Sequence, residues 1–462
     1  MRSGARTGEP VEAVEAVAVD RRERPAPPTF AQALAYWLKL GFISFGGPAG
    51  QIALMHQELV ERRRWISEGR FLHALNYCMV LPGPEAQQLA TYIGWLMHRT
   101  WGGIAAGALF VLPSLFILVA LAWLYMAHGD VPAIAGLLYG VKPAVVAIVA
   151  FAAWRIGMRT LRNPALWTIA AASFVAMFAF RLPFPLIVVA AASIGLIGAR
   201  IAPAAFTSSA GHGPAAHAAA PAWLDDTTPT PAHARFAWSR CVRVAAGCFV
   251  LWLAAYAALV WRCGWDGVFT QMAGFFTKAA LLTFGGAYAV LPYVFQGAVE
   301  THQWLNATQM IDGLALGETT PGPLIMVVAF VGFVGGWGAQ VLGSGSALLS
   351  GIAGACVVTF FTFLPSFLFI FVGAPFIEST HGDLRFTAPL TAITAAVVGV
   401  IVNLAVFFAL HVLWPSGFAG QFDVASALIG VLAFGALVRG RIGVIPVIVG
   451  AGLLGLAWRL LA

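Results

Sequence analysis

Apolar runs of about twenty residues, the length that crosses a bilayer core, recur from one end of this chain to the other. In the first half they lie near 30–55, 71–97, 101–126, 132–157, 165–180 and 183–203. In the second they lie near 268–298, 307–336, 343–373, 388–412, 424–438 and 442–461, with one unpaired run, 243–263, between the halves. Only 10% of the 462 residues are charged, whereas a soluble domain carries roughly 25%. The expectation is an all-α polytopic integral membrane protein lodged in a lipid bilayer.

The net charge of +7 is therefore no nucleic-acid signal: it comes from 23 Arg and 3 Lys, and most of the Arg lie between apolar runs, where a positive-inside bias belongs. The five cysteines form no CxxC and read as small buried hydrophobes rather than metal ligands. No metal and no cofactor is expected. Residues 1–28 read as a disordered cytoplasmic tail without the apolar core and cleavage site of a signal peptide. Residues 204–240 read as a polar low-complexity loop in which His212, His217 and His233 are solvated filler. The domain reading is then repeat 1 over 29–203, a linking transmembrane helix over 241–264 and repeat 2 over 265–462.

The halves repeat each other. "KLGFISFGGPA" at Lys39 returns as "KAALLTFGGAY" at Lys278, an offset of 239 that also aligns Gln57, Glu61 and Trp65 with Gln296, Glu300 and Trp304. The same offset places Pro82-Gly83-Pro84 on Pro321-Gly322-Pro323; beyond it the offset is 252, bringing "LPSLF" at Leu112 onto "LPSFL" at Leu364. The unpaired run between the halves makes the number of crossings between equivalent points odd, so the second repeat is inserted inverted. Inverted repeats organise many secondary transporters, with substrate at the repeat interface near the midplane. Thirteen full crossings would leave 16 Arg on the N-terminal side and 7 opposite; re-entrant hairpins at FGGP and PGP leave 20 and 3. The charge bias favours broken, re-entrant helices, with the N-terminus cytoplasmic and the C-terminus external.

Glycine and proline inside these runs let a helix stop and restart. Its new N-terminus offers free N–H groups and a positive dipole end to an anion. The candidates are Phe45, Gly46, Gly47 and Pro48, their counterparts Gly285 and Gly286, Pro82, Gly83 and Pro84, and Pro321, Gly322 and Pro323. Ser44 and Thr283 precede the two FGG motifs and either donate to an oxyanion or bond their own i−4 carbonyls. All three lysines, Lys39, Lys142 and Lys278, lie inside apolar runs, where an ammonium is costly and a substrate role is the default. Glu85 and Glu318 flank the two PGP motifs on opposite sides, break the symmetry, and are candidates for a coupling proton.

Phe-Gly-Gly-Pro, a Glu/Arg-Trp loop, Leu-Pro-Gly-Pro and a Gly-rich stretch ending Leu-Pro-Ser together resemble the chromate transporter family in its long form, over about 30–203 and 268–461. The second half departs at Ala287, where the motif proline is missing. The resemblance implies a plasma-membrane protein that exports chromate, with sulfate competing, and that confers chromate resistance. Rival readings are a transporter of sulfate or another small anion, and an anion channel. No Walker A motif, G-x-S-x-G or HExxH occurs, so neither an ATP-driven pump nor an enzyme is expected. Homo-oligomerisation is left open.

Overall fold

The structure, a computed structural model, describes residues 25–45, 47–129, 131–206, 221–226, 228–284, 286–343, 345–379, 387–439 and 442–461. The N-terminal tail to residue 24, His212 and His217 lie outside the described residues. Those residues hold helices and one isolated β-bridge, Ile66–Leu224.

In repeat 1 the helices are α1 (Phe30–Ile43), α2 (Gly47–His56), α3 (Glu68–Val80), α4 (Glu85–His128), α5 (Pro132–Thr160), α6 (Pro164–Phe178) and α7 (Phe184–Ile201). The linking helix is α8 (Trp238–Cys263). Repeat 2 runs α9 (Val268–Leu282), α10 (Ala287–Phe295), α11 (Ala307–Thr319), α12 (Val327–Ala339), α13 (Ala347–Ser379), α14 (Thr387–Leu413), α15 (Val424–Val438) and α16 (Val444–Leu461). Seven of the described helices are long and apolar enough to span a membrane.

Equivalent sequence builds equivalent backbone. Both α2 and α10 end in a π-turn, Gln57–Arg62 and Gln296–Thr301. Ser67 and Asn306, which share a repeat position, each cap the next helix by accepting an N–H bond, from Arg70 and Gln309. The left-handed backbone recurs at Gly47 and Gly286, at Arg64 and Gln303, and at Gly83 and Gly322. The offset change from 239 to 252 also has a cause. In repeat 1 the chain kinks at His98 and Arg99 inside one long α4; in repeat 2 a loop separates α12 from α13.

Contacts at the helix ends show which segments turn back. His98 Nε2 lies 3.0 Å from Pro28 O, and the Tyr36 and Trp65 rings are 5.8 Å apart. The start of α1, the α2–α3 turn and the α4 kink thus share one face, and two helix pairs enter from it and return to it. Repeat 2 does the same, with Phe275 5.6 Å from Trp304. Its hairpin bases meet the α6–α7 turn, where the Phe184 N–H donates to Gln296 Oε1 at 3.3 Å. Beyond the kink α4 covers 29 residues, about 43 Å at 1.5 Å each, so the two sets of hairpin bases lie on opposite faces. The repeats are inverted and the FGG and PGP breaks are re-entrant tips.

The helices after the hairpins exchange partners: α5 packs on α15 and α16, while its counterpart α14 packs on α6 and α7. The apolar packing forms three clusters: one spans both repeats, one gathers the repeat 1 hairpins with the end of α13, and one joins α5 to α15 and α16. The inter-repeat loop departs from expectation. Trp223 and Leu224 N–H groups donate to Arg64 and Trp65 carbonyls at 3.0 and 3.1 Å, and Ser67 N–H returns a bond to Leu224 O at 2.9 Å. His233 is no solvated filler: its Nε2 lies 3.0 Å from Trp95 O, because the hairpin bases expose backbone that the loop satisfies.

Candidate functional site

The hairpin tips of the two repeats meet in the interior and hold each other by backbone. Gly83 N–H donates to Thr283 O at 2.7 Å, and Gly322 N–H donates to Ser44 O at 2.8 Å. Each PGP glycine therefore binds the carbonyl that precedes the other repeat's FGG break. Gly83 adopts φ +127° and Gly322 φ +101°, which a side chain disfavours. Space forbids one too. A Cβ on Gly83 would stand 2.7 Å from Ser366 Oγ, and one on Gly322 would stand 2.8 Å from Ser114 Cβ. These serines end the two Leu-Pro-Ser motifs, so each tip is enclosed by two elements of the opposite repeat.

Buried polar side chains collect around this crossing. Gln51 Nε2 donates to Gly322 O at 2.6 Å and to Ser44 O at 3.2 Å, tying α2 to both tips. Gln88 Nε2 donates to Pro82 O at 2.8 Å, and Gln87 Nε2 donates to Thr91 Oγ1 at 3.0 Å. Oε1 of Gln51, Gln87 and Gln88 and Oγ of Ser114 and Ser366 are buried without a hydrogen-bond partner among the described residues. Such orphans are rare because each forfeits its hydration. Five of them gather at this one crossing.

The sequence-derived candidates divide here. Pro82, Gly83, Pro84, Pro321, Gly322 and Pro323 form the crossing, and Pro82 alone of these is half-buried rather than buried. Phe45, Gly47, Pro48 and Gly286 lie half-buried beside it, with Glu85 Oε1 3.9 Å from where a Gly286 Cβ would stand. Gly46 and Gly285 lie outside the described residues. The hydroxyls of Ser44 and Thr283 take the local option, donating to Leu40 O at 2.6 Å and Ala279 O at 2.7 Å. They are spent on their own helices, and their carbonyls serve the crossing instead.

The lysines do not converge. Lys39 and Lys278 are exposed on the flanks of α1 and α9, because the buried faces of those helices are taken by Tyr36, Trp37 and Leu40, and by Phe275, Phe276 and Ala279. Lys278 lines a groove of about 590 Å³ with Gln296, Glu300 and His302 on the repeat 2 face. Lys142 turns inward and pairs with Asp312 at 3.7 Å. Glu318 is half-buried and accepts the Tyr288 hydroxyl at 2.5 Å. Gln51, Gln87, Gln88, Ser114, Ser366 and Asp312 escaped the sequence reading, although each is a polar residue inside an apolar run.

Comparison with known proteins bears on this arrangement. The family model described as Chromate transporter matches residues 31–196 and 270–456, one match per repeat. The chain is 34% identical to the "Chromate transport protein" of Pseudomonas aeruginosa, covering 93% of both chains. It is 30% identical to that of Cupriavidus metallidurans, again over 93% of both. The "Probable chromate transport protein" of Synechococcus elongatus is 28% identical over 87% of this chain and 88% of its own. No solved structure matches. A helical membrane fold of two repeats, matched by the family model in each, makes the chain a member of the chromate transporter family, whose members are transporters and not enzymes.

Proposed function

We propose that the protein is a secondary transporter that exports chromate across the plasma membrane and so confers chromate resistance, with the oxyanion bound at the crossing of the re-entrant tips. The observation that carries this reading is the set of five unpartnered polar atoms around two reciprocal glycine contacts, placed between inverted repeats. The first turns of α2, α4 and α10, and the 3-10 turn Leu324–Met326 that leads into α12, start at the breaks and supply N–H groups to an anion. Pro48, Pro84 and Pro323 preset those turns, and Phe45 packs beside them. Lys142 is the inward-turned cation on the way; Glu85 and Glu318 are the groups we assign to a coupling proton.

The 20:3 arginine bias puts the repeat 1 hairpin bases and the N-terminus in the cytoplasm and the C-terminus outside. The driving force suffices without ATP. A membrane potential supplies about 2.3 kcal/mol per charge per 100 mV, so a departing dianion gains about 4.6 kcal/mol, roughly three decades of gradient. Sulfate, also a tetrahedral dianion, competes for the same donors. Lys39 and Lys278, outside the crossing, serve approach rather than binding.

The test is labelled chromate uptake into inverted membrane vesicles, with and without excess sulfate and with and without a protonophore. Saturable uptake that sulfate inhibits is expected. Flux that never saturates and shows no counter-transport would make the protein a channel, and absence of uptake would overturn the reading.

A further inference from the structure

Two ion pairs stand off the crossing, one towards each face. Towards the repeat 1 face, Arg70 Nη1 in the first turn of α3 lies 4.0 Å from Glu378 Oε2 near the end of α13, and the side chains are 12% and 8% exposed. The Tyr92 hydroxyl donates to Glu378 Oε1 at 2.5 Å, and Arg70 Nη2 donates to Thr228 O. Towards the repeat 2 face, Lys142 Nζ lies 3.7 Å from Asp312 Oδ2, with side chains 27% and 2% exposed. The Tyr125 hydroxyl donates to the same Oδ2 at 3.0 Å.

These are one junction built twice from different residues. In each, the helix that enters the second re-entrant pair, α3 or α11, meets the far end of the other repeat's long helix. Asp312 shares its repeat position with His73, and Tyr125 with Ile377; His73 Nε2 lies 3.4 Å from Ile377 O. Yet Arg70 corresponds to Gln309, Glu378 to Met126 and Lys142 to Thr394. The ionic residues therefore do not descend from a shared packing motif, although each copy holds one cation and one carboxylate. Arg70 precedes Gly83 by 13 residues and Asp312 precedes Gly322 by 10, about 15–20 Å of helix in each case. The pairs straddle the crossing.

Neither pair is closed. Arg70 Nη1 and Asp312 Oδ1 are buried without a hydrogen-bond partner among the described residues. Arg–carboxylate pairs are frequently bidentate, with two parallel bonds below 3 Å, and a buried pair repays its desolvation only when its remaining donors and acceptors are satisfied. A loose pair suits a different task. The carboxylate keeps the cation from standing buried and uncompensated when the pathway is empty, and it yields when a stronger anion arrives.

We propose that Arg70 and Lys142 are two successive stations for the oxyanion, one on each side of the crossing, and that Glu378 and Asp312 are the resident counter-anions the substrate displaces from them. This rests on the oxyanion transport reading. On entry from the repeat 1 face the dianion takes Arg70, passes between the tips, and takes Lys142 before release.

The experiment is labelled chromate flux into proteoliposomes holding the purified full-length chain, under an imposed potential. Wild-type protein inert to both chromate and sulfate would sink the transport reading itself. With wild-type flux in hand, Glu378→Gln and Asp312→Asn should each lower the KM for chromate several-fold, since a competing anion is gone. Arg70→Gln and Lys142→Met should raise it about tenfold or more, the scale of losing a charge partner. The double variants Arg70→Gln/Glu378→Gln and Lys142→Met/Asp312→Asn should keep the raised KM. If the pairs are only structural ties, the doubles recover wild-type KM and flux and the proposal is overturned. An unchanged KM in both acid variants overturns it equally. These two variants retain the cation, so they decide the matter even if a cation variant does not fold.

Discussion

The two tips share a backbone and differ in their side chains. Gly83 and Gly322 make the same cross-repeat bond, 2.7 and 2.8 Å long, and both are enclosed by a Leu-Pro-Ser serine. The helix that follows tells them apart. After the first PGP come Glu85, Gln87, Gln88 and Thr91; their counterparts after the second are Leu324, Met326, Val327 and Phe330. A two-fold scaffold needs only that the chain turn and approach closely at matching points, which glycine and proline provide. Polar side chains follow the first PGP only, so nothing in the turn itself requires them to be matched. The scaffold thus keeps the symmetry and the chemistry breaks it.

The shared backbone requires the two glycines to behave alike. Gly83→Val and Gly322→Val each force a side chain into left-handed backbone, about 1–3 kcal/mol, and into an occupied space, another 1–3 kcal/mol. Both should cost chromate flux about a hundredfold, at 1.4 kcal/mol per decade, with protein still inserted in the membrane. A large loss at one glycine alone would show that only one tip takes part.

The two tips should separate at the first position after each PGP. Glu85→Gln should lower flux about tenfold, the scale of one charge-assisted hydrogen bond at roughly 1.5–3 kcal/mol, and should remove any response to a protonophore. Leu324→Met should leave both within about twofold, because it is a volume-conserving exchange of a buried apolar side chain. Equal effects would mean that the polarity of the α4 first turn is incidental.

The smallest effect is expected at the inter-repeat loop, which covers the hairpin bases on one face only. Burial holds the His233 imidazole below its ordinary pKa, and the Trp95 carbonyl partly opposes that shift. The docked loop therefore binds fewer protons than the released one, and docking weakens as pH falls through the ordinary imidazole range near 6.5. Protease nicking between residues 221 and 236 should quicken between pH 7.5 and pH 5, and His233→Ala should flatten that dependence. A pH-independent rate in the wild type would remove His233 from the docking.

Much of this was legible in the chain. The repeat register was read from Lys, Trp and PGP positions that apolar composition alone does not align, and the arginine bias already preferred re-entrant hairpins. Breaks at Gly47 and Gly83 follow from local backbone chemistry, since only glycine enters left-handed backbone without cost. The side chains around the breaks were less legible. For Ser44 and Thr283 the sequence left open an oxyanion or their own i−4 carbonyls, and at the helix end the local carbonyl is the nearer acceptor. Lys39 and Lys278 looked like site cations because a lysine in an apolar run is costly wherever it points; which way α1 and α9 turn depends on what they pack against.

What the sequence determined by itself is whatever depends on neighbours along the chain: membrane insertion from apolar length, helix breaks from Gly and Pro, and duplication from a constant offset. Tertiary structure alone decided which polar groups meet, that Gly83 faces Thr283, that Ser366 closes over a tip 283 residues away, and that Lys142 holds Asp312. Those contacts join residues from opposite repeats, and a pairing between segments inserted in opposite directions leaves no local trace in either.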